Sequence, residues 1–206
     1  MRFPRARILI FAKAPEAGRV KTRLIPVLGA DGAADLYRRL LRSTIQRMKL
    51  AEIAPITCYC APDAEHKEFQ LLAHDYCISL ETQKGADLGE RMANAASCQL
   101  AAGWGPVVLI GGDCPALRTD HLLQTLGWLK GDCDAVIGPA EDGGYVLLGL
   151  RKSSAQLFQG VAWGGDNVLD ETRRRLQDLG WRWKELEPLW DLDRPADLER
   201  LQAMPA

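Results

Sequence analysis

The run from Val107 to Pro115, read VVLIGGDCP, constrains the fold of this chain more than any other segment. Its apolar part, Val107 to Ile110, is followed at once by two glycines and Asp113. A short apolar run that ends in glycine is typical of a strand buried on both faces inside a parallel sheet. Ligands of open α/β sheets bind just beyond the carboxyl ends of such strands. The run therefore predicts a parallel sheet with Asp113 at its ligand-binding edge.

Asp113 has two interpretations at that edge. Its carboxylate could hold a divalent cation, because Mg²⁺ in proteins usually combines few carboxylates with substrate phosphates. The preceding glycines would let a ligand approach the backbone closely. Alternatively, Asp113 ties a turn or caps the helix that Thr119 begins. The run alone supports both interpretations equally.

Strand-like and helix-like segments alternate along the chain. Further apolar runs that indicate strands are residues 8–12, 56–60, 78–80, 135–137, 145–150 and 181–186. Segments with helical periodicity are residues 33–49, 63–74, 88–100, 119–130 and 167–179, with a last helix opened by Pro195. Repeated β–α units predict a mostly parallel sheet covered by helices on both faces. Because no repeat or linker interrupts the pattern, we expect one domain over residues 1–206.

Composition excludes several classes of protein. A formal net charge of -1 over 206 residues gives no general reason to expect a nucleic-acid partner. No apolar stretch approaches the roughly 20 residues of a membrane span, and residues 8–12 are too short for the core of a signal peptide. The six cysteines show neither zinc-site spacing nor a redox C-x-x-C. We therefore expect a cytoplasmic protein with reduced thiols.

The loop after the first strand, residues 13–23, is basic. It carries Lys13, Arg19, Lys21 and Arg23 around Gly18. Loops after the first strand of an α/β sheet commonly hold phosphates, and backbone N–H groups near a glycine can cradle them. The glycine spacing fits neither a Walker loop nor a dinucleotide fingerprint. A solvated basic loop is the alternative, but four like charges in eleven residues favour phosphate binding.

Two later segments offer partner carboxylates for Asp113. In the segment WDLDRP, Asp191 and Asp193 share one face if the chain is extended, although Asp193 could instead cap the last helix. The other segment places Glu141 and Asp142 before a Gly-Gly turn. A plain hairpin turn would explain those glycines, but it explains the two acids less well.

Residues 83–91 and Trp163 have more ambiguous roles. Gln83 and Gly85 could contact a base or ribose, whereas Asp87 is best explained as the N-cap of the following helix. Trp163 could stack on a substrate, although tryptophan more often serves in half-buried packing.

Six segments together resemble a known family. In order from about residue 8 to 200, they are FAKAPEAGRVKTRL, GADLGERM, LIGGDCP, GPAEDGGYVLLGL, WGGDNVL and DLDRPADL. This set resembles an uncharacterised glycosyltransferase-A-like family of the nucleotide-diphospho-sugar transferase superfamily, distantly similar to molybdenum-cofactor and phospholactate guanylyltransferases. The resemblance implies a Rossmann-like α/β/α sandwich with a mixed sheet. It also implies nucleotide binding by residues 1–115 and acceptor binding by residues 116–206.

The resemblance also implies roles for single residues. A divalent metal, Mg²⁺ or Mn²⁺, would bridge the diphosphate of the nucleotide. The positions that match the family's phosphate loop, metal-binding motifs and acceptor-side loop are, respectively, Lys13, Arg19 and Lys21; Asp113, Asp191 and Asp193; and Asp142, Gly143 and Gly144. Two positions depart from the pattern. Gly111 stands where many sugar transferases carry the first Asp of D-x-D, and Arg194 replaces the usual Thr before Pro.

Three functions remain open at this point. The first is glycosyl transfer from a nucleotide-diphospho-sugar to a small acceptor, with Asp142 positioning or deprotonating the acceptor hydroxyl. The second is nucleotidyl transfer from a nucleoside triphosphate to a small phosphorylated substrate, which the single Asp113 and the basic loop favour. The third is nucleotide binding without catalysis.

Overall fold

A computed structural model describes residues 1–203 of the chain. Its seven-stranded sheet has the order β3-β2-β1-β4-β6-β5-β7. All strands run in one direction except β6, which is antiparallel to β4 and β5. The strands are β1 (Arg7–Lys13), β2 (Ile56–Ala61), β3 (Ser79–Thr82), β4 (Val107–Gly111), β5 (Ala135–Pro139), β6 (Tyr145–Leu150) and β7 (Trp183–Glu185).

Helices cover both faces of the sheet. They are α1 (Ile25–Leu50), α2 (Lys67–Tyr76), α3 (Leu88–Ala101), α4 (Thr119–Lys130), α5 (Val168–Asp178) and α6 (Asp197–Gln202). The strand period of two directs Ile8 and Ile10 of β1 into a core shared with α1, α2 and α4. Leu9 of the same strand enters a second core shared with α3 and α5. The fold is thus the expected three-layer α/β/α sandwich with a mostly parallel mixed sheet.

The beginning of α1 differs from the sequence-based prediction. The first helix was expected over residues 33–49, but a short 3-10 helix covers Thr22–Leu24 and α1 already starts at Ile25. Pro26 suits the first turn of a helix because its missing N–H needs no partner there. Gly29 then kinks the helix with a φ of 71°. The periodic apolar face becomes continuous only after this kink, which explains why the first turn was missed.

The ends of β1 and β4 lie side by side. Phe11 is the register partner of Gly111, and the N–H of Gly112 donates to the carbonyl of Phe11 at 3.2 Å. A side chain at Gly112 would come within 2.6 Å of Leu41 in α1. A larger residue at this position would force the buried Leu41 side chain to shift, so glycine allows α1 to pack closely against the end of β4. This packing places Asp113 next to the loop that follows β1.

A third apolar cluster attaches the last part of the chain to α1. Leu192 is fully buried against Leu24, Leu36 and Leu40.

Among the helices within residues 1–203, none combines the length and apolarity that crossing a membrane requires. The six cysteines are free thiols, of which Cys77 and Cys98 are exposed.

Candidate active site

Lys21 and Asp113 form the centre of the site. The Nζ atom of Lys21 lies 2.5 Å from Oδ2 of Asp113, and the two side chains are 5% and 26% exposed. Lys21 adopts a left-handed backbone conformation, with φ 45° and ψ 41°, immediately before the 3-10 helix. Such a conformation is uncommon for a residue other than glycine and is often found at functional sites. This turn directs the ammonium group inward to the end of β4.

The charge of Lys21 is maintained by the carboxylates around it. Burial alone would lower the Lys21 pKa, but Asp113, Asp191 and Asp193 together raise that pKa above its ordinary value. The ammonium therefore stays protonated despite its burial.

The segment after residue 190 brings two carboxylates to this cluster. Leu192 is buried in the apolar cluster with α1, and its neighbours Asp191 and Asp193 both lie close enough to Lys21 to raise the pKa of that ammonium. Burial and the nearby Asp113 raise the pKa of Asp191 to about 6. Asp193 forms an ion pair with Arg23. The two acids that the sequence placed on one face therefore both meet the basic loop.

A three-carboxylate metal site is not assembled in this arrangement. Within residues 1–203, no group of three or more His, Cys, Asp or Glu side chains is placed to hold a metal ion. The ammonium group of Lys21 forms an ion pair with Asp113, and the guanidinium group of Arg23 forms one with Asp193. Asp191 nevertheless lies close enough to Asp113 for that carboxylate to raise the Asp191 pKa. Two carboxylates suit a Mg²⁺ ion that completes its shell with substrate phosphates, so the donor set fits such a cation.

The remaining predicted residues of the basic loop face solvent. Arg19 is 74% exposed and pairs with Glu16 at 3.1 Å. Lys13 is exposed, and its backbone N–H donates to the hydroxyl of Tyr37 at 2.9 Å. Gly18 has a φ of 80° and open space around it. The loop thus presents Lys21 and Arg23 to the carboxylates, while Lys13 and Arg19 lie at the surface.

A cavity of about 320 Å³ lies beside Asp113 on the face of the sheet covered by α3 and α5. Gly111 lines it, and a side chain added at Gly111 would come within 3.4 Å of Oδ1 of Asp113. The buried apolar residues of its floor include Met92, Leu109, Leu147 and Leu148, and its aromatic walls are Phe11, Tyr145 and Trp163. Its exposed charged residues are Arg23, Asp142, Asp166 and Arg194. The cavity therefore has an apolar interior and a charged rim.

Two close approaches at glycine shape this cavity. Any side chain at Gly89, in the first turn of α3, would overlap with the indole of Trp163. Any side chain at Gly143, which has a φ of 87°, would overlap with the carbonyl of Asp166. The N–H of Leu169 also donates to the carbonyl of Gly143 at 2.9 Å. These contacts fix the loop around residues 163–168 against both α3 and the turn before β6.

The acids before β6 separate into two environments. Asp142 lies on the cavity rim, where one carboxylate oxygen accepts the N–H of Gly144 at 3.0 Å. Glu141 instead pairs with Arg200 of α6 at 2.7 Å. Only Asp142 is therefore placed to contact a ligand in the cavity, with Gly144 beside it.

The segment that precedes α3 binds mainly to the protein itself. The side-chain amide of Gln83 donates to the carbonyls of Ala12 and Tyr59 at 3.1 and 2.8 Å. Gly85 has a φ of 147°, and a side chain there would come within 2.7 Å of the backbone nitrogen of Arg91. Asp87 caps α3 by accepting the N–H of Glu90 at 2.8 Å. These residues do not line the cavity, and their contact with a nucleotide stays a prediction.

The model of a protein family matches residues 28–165, and its description is "Uncharacterized protein conserved in bacteria (DUF2064)". The chain belongs to this family. A DUF2064 assignment agrees with the resemblance drawn from the sequence motifs. No curated protein matches the chain.

Solved structures extend the comparison of this DUF2064 protein. A protein described as "putative nucleotide-diphospho-sugar transferase" from Desulfovibrio desulfuricans G20 is 33% identical, with a TM-score of 0.88, and the match covers 97% of this chain and 87% of that one. A cytidylyltransferase from Leptospira borgpetersenii is 14% identical, with a TM-score of 0.60, over 97% and 85% of the two chains. A 4-diphosphocytidyl-2C-methyl-D-erythritol synthase from Anaerococcus prevotii is 13% identical, with a TM-score of 0.58, over 96% and 98%. The last two show likeness of fold alone, and together with the first they confirm the expected glycosyltransferase-A-like fold.

Several cavity residues of this DUF2064 protein were not singled out from its sequence. Phe11 follows the buried Leu9 at the strand period of two, which is the available signal for a side chain on the same face. Tyr145 was assigned only to a strand. Asp166 lies between a Gly-Gly pair and the start of α5, and the sequence analysis assigned it no role. Their convergence depends on the antiparallel placement of β6, which short-range patterns do not predict.

Proposed function

We propose that this DUF2064 protein is a metal-dependent transferase that takes a sugar from a nucleotide-diphospho-sugar and passes it to a small acceptor. The observation that carries the proposal is the Lys21–Asp113 ion pair beside an open cavity at the carboxyl edge of the sheet. Ligands of α/β sheets bind at this edge. The description of the 33% identical relative supports the choice of donor.

The basic loop would bind the donor's phosphates. Lys21 offers the point charge of its ammonium group. The guanidinium group of Arg23 offers two parallel N–H donors for phosphate oxygens. Asp113 and Asp191 would hold Mg²⁺ or Mn²⁺, which when bound supplies charge neutralisation for the departing nucleoside diphosphate. Preorganised cations at the place where negative charge develops are the largest contribution that such a site can make.

The cavity would position the acceptor. Asp142 lies on its rim, where a carboxylate oxygen not bound to Gly144 can accept a hydrogen bond from an acceptor hydroxyl. Such a contact orients the hydroxyl and can receive its proton. The apolar interior excludes water, which would otherwise compete with the acceptor.

Nucleotidyl transfer is the second candidate. Here a phosphate oxygen of a small substrate attacks the α-phosphorus of a nucleoside triphosphate, and pyrophosphate leaves. One observation favours it: β4 ends in a single acid, with Gly111 in place of the first Asp of D-x-D and the ammonium of Lys21 directly on Asp113. Phosphoryl chemistry depends on this kind of positioning and charge neutralisation. A third possibility, nucleotide binding without turnover, retains the same contacts.

A ligand screen followed by product analysis tests these functions. Thermal shifts with UDP-, GDP- and ADP-sugars and with the matching triphosphates, each with and without Mn²⁺, identify the donor because a bound ligand stabilises the fold. Phosphorus NMR then identifies the product. A released nucleoside diphosphate supports glycosyl transfer, pyrophosphate supports nucleotidyl transfer, and binding without product supports the non-catalytic module.

The matched variants are Asp113→Ala and Asp132→Ala. We expect Asp113→Ala to abolish turnover while the protein remains folded, because the proposed metal ligand is lost. Asp132 is almost fully exposed and outside the site, so Asp132→Ala should behave as the parent protein. Retained turnover in Asp113→Ala would contradict the metal site.

A further inference from the structure

We propose that the cavity beside Asp113 takes an acceptor with a ring-sized apolar body and one terminal anionic group, phosphate or carboxylate, which Arg194 binds. The inference rests on the proposed transferase function, because it names the acceptor class for that site. It follows from three features of the cavity: its size, its apolar interior and the charges on its rim.

The size and interior of the cavity define the body of the ligand. Its volume of about 320 Å³ is near the lower end of the range for small-molecule pockets. Met92, Leu109 and Leu148 form a floor that offers no side-chain donor and no acceptor stronger than the Met92 thioether. A hydroxyl-rich ligand would lose its hydrogen bonds to water there without replacement. Phe11 and Trp163 offer aromatic surfaces, which suit a planar or compact apolar group.

The rim defines the ligand's charge. Arg23 and Arg194 both line the cavity, and Arg23 is already paired with Asp193. Across residues 1–203, the Arg194 guanidinium has neither an ion-pair nor a hydrogen-bond partner. A guanidinium offers several donors in a planar fork that matches carboxylate and phosphate oxygens. Arg194 is therefore the cation on this rim whose donors remain available to a ligand.

The backbone around Arg194 keeps that side chain at the rim. One carboxylate oxygen of Asp197 accepts the N–H groups of Asp193 and Arg194, at 3.0 and 2.7 Å. The N–H of Asp197 in turn donates to the carbonyl of Arg194 at 2.9 Å, so the turn is closed by backbone atoms and the Asp197 carboxylate. The side chain at position 194 is consequently not needed for the turn, and it can be given to ligand binding.

The nucleotide phosphates and the acceptor anion can be bound separately. Lys13, Arg19 and Lys21 do not line the cavity, whereas Arg194 does. The nucleotide can therefore be bound outside the cavity by these three residues, while Arg194 serves the acceptor. Arg23 of the same loop does line the cavity, but its guanidinium is paired with Asp193. Asp142 and Asp166 on the same rim can accept hydrogen bonds from the acceptor's hydroxyl, and they discourage a second negative group.

Ligand-observed NMR with small probes tests the acceptor class. The probes are phenyl phosphate and benzoate, compared with phenol, inorganic phosphate and glucose. We expect the two anionic aromatics to bind more tightly than phenol or inorganic phosphate, and glucose not to bind. Comparing phenyl phosphate with benzoate shows which anion the site prefers.

Variants locate the probe. Arg194→Ala should weaken phenyl phosphate at least about tenfold, the loss expected for a charge-assisted bidentate contact. Leu88→Trp, at an exposed cavity residue, should exclude phenyl phosphate by narrowing the entrance. Arg39→Ala removes an exposed arginine of α1 and should change nothing. Arg19→Ala should leave phenyl phosphate binding intact, because Arg19 belongs to the nucleotide side.

The outcomes separate this inference from the proposed function. Failure of both anionic aromatics to bind, or weakening by Arg19→Ala but not by Arg194→Ala, overturns the acceptor class while nucleotide binding and turnover can stand. Phenyl phosphate binding that depends on Arg194, in a protein that responds to no nucleotide, overturns the transferase function and leaves the cavity's ligand class supported.

Discussion

The ammonium of Lys21 lies 2.5 Å from the carboxylate of Asp113, and Asp191 adds a second carboxylate to the same buried cluster. The carboxylate at the end of β4 is therefore already paired with a cation of the protein itself. A divalent metal ion can bind to the Asp113 carboxylate without competition only when the Lys21 ammonium leaves Asp113 and pairs with another anion, such as a substrate phosphate. The metal and the nucleotide are thus expected to bind together.

Lys21→Met should strengthen binding of Mn²⁺ to the nucleotide-free protein. Removing a positive charge a few ångströms from the metal position eliminates a repulsion of several kcal/mol before screening, so we expect at least about a fivefold gain. Electron paramagnetic resonance of free Mn²⁺ measures it. Lys67→Met, at the exposed start of α2, is the control. Unchanged or weaker Mn²⁺ binding in Lys21→Met would show that Lys21 does not compete with the metal.

The stability of the metal-free protein should fall as pH rises from about 4 to about 6. Burial and Asp113 raise the pKa of Asp191 from 3.8 to about 6, so the folded state binds a proton that the unfolded state releases in this window. A difference of two pKa units corresponds to about 3 kcal/mol at most. Urea denaturation measures it, and Asp191→Asn should remove this part of the pH dependence. If Asp191→Asn shows the same pH dependence of stability as the parent protein, that dependence does not come from Asp191.

Gly143→Ala should destabilise the protein more than Gly160→Ala. Both glycines have positive φ values, 87° and 69°, so alanine is strained by about 1–2 kcal/mol at either position. Gly160 has open space, whereas a side chain at Gly143 overlaps with the backbone of Asp166. We expect Gly143→Ala to cost at least about 1 kcal/mol more in chemical denaturation and to weaken ligand binding in the cavity. Equal losses of stability in the two variants would mean that the turn at Gly143 can move away from the backbone of Asp166 at little cost in free energy.

Asp87→Ala should cost about 1 kcal/mol of stability, the usual effect of removing an N-cap. Asp87→Asn should restore most of that stability because asparagine also caps helices well. Nucleotide thermal shifts should be the same in both variants if capping is the sole role of Asp87. A loss of nucleotide response in a stable Asp87→Asn protein would instead support contact with the ligand.

The sequence predicted the elements with strong local signals. Val107–Ile110 and Asp113 lie as expected because an apolar run closed by glycines has few alternatives in an α/β fold. Asp191 and Asp193, which the sequence placed on one face of an extended segment, both lie near Lys21, although the chain bends at Leu192. The sequence could not show which of the loop's cations turns inward. That choice depends on the left-handed turn at Lys21, which tertiary contacts with the carboxylates stabilise.

The position of β6 has a consequence for any attempt to divide the molecule. β6 belongs to the second half of the chain, yet it hydrogen-bonds with β4 of the first half along residues 107–110. A fragment that ended near residue 115 would keep the pairing of β4 with β1 but would leave the other edge of β4 without a partner strand. The complementary fragment would keep the pairing of β6 with β5 but would likewise leave the other edge of β6 unpaired. Exposed strand edges of this kind recruit other chains and promote aggregation. The two fragments should therefore become soluble only when they are produced together, as the two parts of a split protein.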